Sequence, residues 1–184
     1  MNMLEKLGLG DFDEVFEILK ISFPESERRN YDGQKALFQN PLYTAYGVRD
    51  RSESKICAVI TVWDFDVASF VEHFAVDPSK RGTGIGSKMI NELSETLGKP
   101  LCLEVELPDT EIACRRIEFY KRNGLFLNEY PYVQPPLTKG CSSVPMYIMT
   151  SGAAVDEKKF ELIRDTLYKN VYNCSINGID VTKC

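Results

Sequence analysis

Residues 74–86 read FAVDPSKRGTGIG, and the fold turns on how this stretch is read. An apolar run ends at Val76, the chain turns at Asp77-Pro78, and two cations follow. Glycines then stand at every second position, 82, 84 and 86. Behind them, GIGSKMINELSETLG carries Ile85, Met89, Ile90, Leu93 and Leu97 at helical spacing and stops at Gly98. Strand, glycine turn and helix start in that order aim successive backbone N–H groups outward, where the helix dipole favours an anion. Glycine lets a pyrophosphate approach the backbone closely, and Lys80 and Arg81 add positive charge at the mouth. A Walker loop ends in Gly-Lys-Ser or Gly-Lys-Thr, which this chain lacks, and a dinucleotide loop needs G-x-G-x-x-G rather than Gly82-x-Gly84-x-Gly86. The plain structural alternative is a tight turn that only starts a helix.

On either side the pattern alternates between helices and strands. Residues 1 to 7 suit a short first strand. Asp11 caps FDEVFEILKISF, whose Phe12, Val15, Phe16, Leu19 and Phe23 share a face and which Pro24 ends. The charged segment PESERRNYDG leads to a short helix from about Asp32 to Phe38. YTAYGVR, ICAVITVWDF and ASFVEHFAV read as three strands. PLCLEVELP is a fourth, DTEIACRRIEFYKRNG a helix opened at Asp109 and closed at Gly124, and LFLNEYPYV and VPMYIMT are two more strands around PPLTKGCSS. AAVDEKKFELIRDTLYKNVYN places Phe160, Ile163, Leu167 and Val171 on one stripe, and the tail CSINGIDVTKC reads as loose.

The 184 residues suit one domain, with 43% hydrophobic and 27% charged residues. No run is long and apolar enough for a spanning helix, and the N-terminus meets acidic residues before any apolar stretch, so neither a membrane span nor a secretory signal is expected. A net charge of -5 argues against a broad nucleic-acid surface. Six cysteines without a CxxC, and a single histidine, make a metal site unexpected. Reduced thiols in a cytoplasm are expected, with a Cys174–Cys184 pair as the alternative.

Arg81-x-x-Gly84-x-Gly86 after the strand Phe74-Ala75-Val76, followed by LEVELP and IEFYKRNGLF, resembles the GCN5-related N-acetyltransferase (GNAT) superfamily, as a single-domain bacterial-type member. The last stretch is similar to the family's Phe-Tyr-x-x-x-Gly-Phe signature, with Leu125 placed before Phe126. The resemblance implies an α/β fold, a mixed and mostly antiparallel sheet flanked by helices, spanning 1–150. An extra C-terminal helix and tail, 151–184, would pack on the same domain or on a partner. It implies acetyl-CoA as cosubstrate, with the pyrophosphate on the amides of Arg81, Gly82, Thr83, Gly84, Ile85 and Gly86. The pantetheine would run along Phe74, Ala75 and Val76, entering between two parallel strands that splay apart. Where many members carry an asparagine that touches the pantetheine, this chain offers Glu111, Ala113 and Arg115, so that contact is either absent or replaced, with Arg115 as the candidate.

Amine acetylation needs a neutral amine near the thioester carbonyl and a proton for the departing thiolate. Tyr120 matches the tyrosine that family members place near the CoA sulphur; its plain alternative is a core aromatic. Alternation along ASFVEHFAV puts Glu72 and Phe74 on one face and His73 on the other. Glu72 in apolar surroundings, with a raised pKa, is one candidate base. Glu104 and Glu106 are the others, and the choice among the three stays open, as does a wall role for each. His73 reads as a packed, hydrogen-bonded residue. The charged run Glu25, Glu27, Arg28 and Arg29 is either a border of the acceptor pocket or a solvated face, and Trp63, Tyr130 and Tyr132 are candidate aromatic walls. The expected reaction is direct transfer to a primary amine, small or peptidic, in a ternary complex. The alternative is a CoA-binding regulatory or structural protein without transfer. A homodimer through the C-terminal stripe stays open.

Overall fold

A computed structural model describes residues 3–50, 52–137 and 142–174. Cys141, Cys184 and the sequence after Cys174 lie outside the described residues, and with them the cysteine pairing and the loose tail. Among the described residues seven strands form one sheet: β1 (Glu5–Leu7), β2 (Tyr43–Arg49), β3 (Ile56–Asp64), β4 (Ser69–Val76), β5 (Leu101–Glu106), β6 (Leu125–Gln134) and β7 (Val144–Ser151). Their spatial order is β1-β2-β3-β4-β5-β7-β6, and every neighbouring pair is antiparallel except β4 with β5. Among the described residues five α-helices cover the sheet: α1 (Phe12–Ser22), α2 (Tyr31–Leu37), α3 (Ile85–Leu97), α4 (Glu111–Arg122) and α5 (Glu157–Asn170). The mixed, mostly antiparallel sheet with flanking helices and an additional C-terminal helix is the architecture expected from the sequence.

The helices divide between two faces because each carries an apolar stripe that must be buried. Met89, Ile90 and Leu93 of α3 and Ile117 and Tyr120 of α4 pack with Val71, Leu101, Leu103 and Val105 of the two central strands. Val15 and Leu19 of α1 cover Ala45, Ile56 and Val59 on the opposite face. Farther along that face, Phe160, Ile163 and Leu167 of α5 pack with Phe70, Cys102, Tyr132 and Ile148. The C-terminal helix is thus docked on the same sheet by the stripe read from its sequence.

Local signals set the helix ends, with small departures from the sequence reading. The αL conformation of Gly98, φ 61°, closes α3. The cap of α4 is Thr110, whose side chain accepts from the Ala113 N–H, rather than Asp109. Asp11 precedes α1 but does not cap it with its side chain; its carboxylate accepts from Gly8 N at 2.8 Å and from Arg49 at 2.5 Å.

The feature that shapes the molecule is the short contact between β4 and β5. They pair only through Ser69–Leu101, Phe70–Cys102 and Val71–Leu103. Beyond that, β4 continues with β3 and β5 with β7, so the strands part. A β-bulge starts the parting: Val71 faces Val62 and His73 faces Thr61, which leaves Glu72 as the extra residue. A bulge bends its strand and increases local twist. It also breaks alternation, so the expectation of Glu72 and His73 on opposite faces is corrected: their side chains meet, with Nδ1 of His73 3.4 Å from Oε2 of Glu72.

Phe160 anchors α5, with its ring centroid 4.8 Å from Tyr130 and 6.5 Å from Tyr132. Phe160→Ala is expected to lower unfolding stability by about 3–5 kcal/mol. Because the helix shares the sheet's core, urea unfolding followed by circular dichroism should keep a single transition at a lower midpoint.

Candidate functional site

The glycine loop lies at the open end of the β4–β5 gap. Backbone N–H groups from Gly82 to Ser87 donate to no protein acceptor among the described residues, and the first turn of α3 has no side-chain cap. The three glycines serve two different needs. Gly82 and Gly84 have φ of +75° and +84°, a region unfavourable to side chains. Gly86 is needed for space: a Cβ there would lie 3.3 Å from Phe119 and 3.4 Å from Phe74. The loop is an outward-facing row of amides built on a helix start, which is suited to an anion.

The two cations at its mouth are partly engaged. Lys80 forms an ion pair with Asp50, and that bond holds the Asp50 carboxyl below its ordinary range. Arg81 donates through Nε to the Val76 carbonyl at 3.1 Å, so its guanidinium lies against the end of β4. Thr83 donates to the Lys80 carbonyl at 2.7 Å and fixes the turn. Phe74 packs on Phe119, with centroids 6.2 Å apart; Ala75 is buried. On α4, Arg115 pairs with Glu111 at 2.6 Å on the solvent face, whereas Ala113 points inward. The structure therefore puts Ala113, not Arg115, on the inner side of that helix.

Tyr120 reaches the gap from α4. Its side chain is buried, and its hydroxyl makes no hydrogen bond among the described residues. Burial pushes its pKa up to about 12, with the Arg116 charge pulling the other way. The phenol is therefore protonated at neutral pH and can donate. Arg116, one turn earlier, pairs with Glu106 at 2.7 Å at the end of β5.

The three candidate carboxylates occupy three environments. Glu72 was expected in apolar surroundings with a raised pKa, and this is corrected. Burial alone would push its carboxyl up, but Arg29 lies 2.6 Å away and His73 lies beside it, and together they bring it down to about 2. It is ionised at any ordinary pH and is a very weak base. Glu104, on β5, goes the other way: burial raises its pKa against the hydrogen bonds of Tyr132, Tyr172 and Gln134. Tyr172 reaches both Glu104 oxygens, at 2.9 and 2.8 Å, Gln134 donates at 2.5 Å, and the Tyr132 hydroxyl closes the set. Its acceptor positions are taken by protein donors. Glu106 is half-exposed and bound to Arg116.

Residues beyond the three carboxylates complete the wedge. Arg29 follows the turn between α1 and α2, donates to the Val171 carbonyl at 3.2 Å as well as to Glu72, and lies over the Trp63 ring at 5.8 Å. Trp63 is thus covered by an arginine of the chain. Tyr130 and Tyr132, candidate aromatic walls, pack against Phe160 of α5. His73 is buried, donates from Nε2 to the Glu27 carbonyl at 3.0 Å and has its ring 4.8 Å from Phe23, the packed role expected for it. The Glu25–Arg29 run carried a signal for this cluster; Tyr172, the residue after Val171 at the end of the helical stripe, carried none. Among the described residues no group of three metal-ligating side chains comes together, and no helix is long and apolar enough to cross a membrane. A shallow hollow of about 570 Å³ lies at the other end of β5, lined by Ser94, Lys99 and Gly124, away from this cluster.

Arg29→Ala would leave Glu72 buried without its cation, at an expected cost of roughly 3–5 kcal/mol. Arg29→Ala with Glu72→Gln should recover most of that loss in urea unfolding at pH 7. The sign with pH follows from the lowered carboxyl: its stabilisation is complete above the ordinary 4.5 and is lost as pH falls toward about 2. The Arg29→Ala protein should lose less over that interval than the wild type.

Comparison with known proteins gives this geometry a context. The acetyltransferase (GNAT) domain family matches residues 42–124. A Bacteroides thetaiotaomicron protein assigned to the GNAT acetyltransferases is 35% identical, superposes with a TM-score of 0.85, and is aligned over 94% of this chain and 99% of its own. An aminoglycoside 6'-N-acetyltransferase solved with coenzyme A is 15% identical with a TM-score of 0.59, over 82% of this chain and 96% of its own. The ribosomal-protein-S18-alanine N-acetyltransferase of Escherichia coli is 18% identical with a TM-score of 0.58, over 86% and 97%. These last two share the fold. No curated protein is detectably similar in sequence.

Proposed function

The chain belongs to the GNAT family of acetyltransferases, and on that premise we propose that it moves an acetyl group from acetyl-CoA to a primary amine by direct transfer in a ternary complex. The observation that carries this reading is the β4–β5 gap: the strands part beyond Val71–Leu103, the Gly82–Gly86 amides past the end of β4 meet no protein acceptor among the described residues, and Tyr120 packs with Val71 and Leu103 of the two parting strands. The pyrophosphate of the substrate rests on the amides of the loop between Arg81 and Gly86. Its pantetheine lies along Phe74, Ala75 and Val76, where β4 has no neighbour on the β5 side.

Direct transfer fits the thiols. Burial pushes the Cys102 thiol far up and raises those of Cys57 and Cys174, which keeps them protonated and poorly nucleophilic. Cys114 on α4 turns its Sγ toward the Pro108 carbonyl at 3.4 Å. Holding both substrates in one cleft then supplies much of the rate, as it converts a bimolecular step into an intramolecular one. Tyr120, protonated and unpaired, gives its proton to the departing thiolate. The acceptor is a small or peptidic amine.

Thiol release from acetyl-CoA across a panel of primary amines tests this. Wild-type protein should release thiol only with an acceptor present. Tyr120→Phe keeps the packing and should lower kcat about 10²-fold. Gly84→Asp adopts positive φ more readily than most side chains, sets a negative charge among the loop amides, and should raise the acetyl-CoA KM at least tenfold. Tight CoA binding without release for any amine would replace transfer by a binding role.

A further inference from the structure

The transfer reading leaves one group unnamed, the one that removes the proton from the acceptor. We propose that Glu27, in the turn between α1 and α2, is that catalytic residue and takes the proton of the acceptor ammonium ion directly. The inference rests on the transfer reading and deepens it.

Four carboxylates border the wedge, and three are already committed. Glu72 is tied to Arg29 at 2.6 Å and is too weak a base. Glu104 accepts from Tyr132, Tyr172 and Gln134 with both oxygens. Glu106 accepts from Arg116 at 2.7 Å. The Glu27 carboxylate has neither a hydrogen bond nor an ion pair among the described residues, although it is half-buried. Its backbone is fixed: the Glu27 carbonyl accepts from His73 Nε2 at 3.0 Å and its N–H donates to the Pro24 carbonyl at 3.0 Å. A free carboxylate on a pinned backbone, beside the end of β5, can accept a proton without first breaking a bond.

The surroundings tune it in the useful direction. Burial raises its pKa, Glu106 of β5 raises it further, and Arg116 of α4 and His73 of β4 pull it down; the net result is upward. A base works best with a pKa near the operating pH. Arg116 also acts on Tyr120, so the acid and base sides of the cleft share one neighbouring cation.

The ammonium gives one proton to Glu27, which becomes a neutral carboxylic acid and later returns the proton to water. The freed lone pair forms the N–C bond at the thioester carbonyl, and the C–S bond breaks. Tyr120 protonates the thiolate and is reprotonated by the second proton released from nitrogen. The products are the amide, free CoA and one proton in solution.

The test compares wild type and Glu27→Gln with ethylamine and 2,2,2-trifluoroethylamine at saturating acetyl-CoA. The two amines are close in size, but the fluorinated one is neutral at pH 7 and needs no base to release its lone pair. Glu27→Gln should lose about 10²-fold in kcat/KM with ethylamine and far less with trifluoroethylamine. In the wild type, kcat/KM should rise with pH through an acid limb above pH 4.5, because the base acts only when ionised and its pKa is raised; that limb should vanish in Glu27→Gln. CoA affinity by calorimetry should stay unchanged. Equal losses with both amines, an unaltered acid limb, or a collapse of CoA affinity would overturn the assignment while leaving transfer intact. If no amine, these two or the wider panel, supports release by the wild type, the transfer reading fails and this assignment with it.

Discussion

Everything distinctive in this molecule depends on the early end of the β4–β5 pairing. Three residue pairs hold the two parallel strands together, and then the bulge at Glu72 turns β4 away while β7 keeps β5 in place through Glu106–Met146. A break inside a sheet is costly, because backbone donors and acceptors there lose their strand partners. The cost is tolerable when both strands stay paired on their far edges, as they do here with β3 and β7. The result is a wedge entered from the α3–α4 face by Tyr120 and from the opposite face by the α1–α2 turn. An interior opening of this kind cannot be made by side chains alone.

The wedge is lined by charges that the interior treats in opposite ways. Glu72 and Glu104 lie on adjacent strands, and each raises the energy of ionising the other. One has received a cation and the other neutral donors. Arg29 and His73 together more than offset the burial of Glu72, whereas phenols and an amide only partly offset that of Glu104, so the first carboxyl moves down and the second up. Two like charges in one low-dielectric space are thereby kept from competing. Among the described residues Oε2 of Glu72 still lacks a hydrogen-bonding partner, as do Nε1 of Trp63 and Oε1 of Gln34.

Much of this was legible in the sequence, for identifiable reasons. β2 and β3 were readable because apolar runs bounded by turn residues have few other solutions. The α3 start was readable because glycines at 82 and 84 mark positive φ. One failure lies where pairing departs from ideal register. Alternation put Glu72 with Phe74, and one inserted residue put it with His73 instead. No local pattern announces a bulge in a strand whose other residues alternate well. Arg29 was visible as part of a charged run, but its partners, Glu72 and the Val171 carbonyl, lie 43 and 142 residues away. Tyr130 and Tyr132 looked like pocket walls because aromatic residues suit both pockets and helix contacts, and composition does not separate the two.

The C-terminal helix therefore does more than cover the sheet. Its last turn offers the Val171 carbonyl to Arg29, and the next residue, Tyr172, bonds to Glu104. The negative end of a helix dipole favours a cation there, so α5 helps hold the arginine that keeps Glu72 ionised. Phe160 and Leu167 fix the helix on Tyr132 and its neighbours, and Tyr132 is itself a donor to Glu104. Apolar packing of α5 and the polar order of the wedge are thus one arrangement: a shift of the helix along the sheet would withdraw donors from both buried carboxylates together. The α1–α2 turn is drawn into the same arrangement through Arg29 and the His73–Glu27 bond. The wedge beside Glu72 and Glu104 is consequently built from segments near both ends of the chain, while the loop suited to the anion comes from its middle.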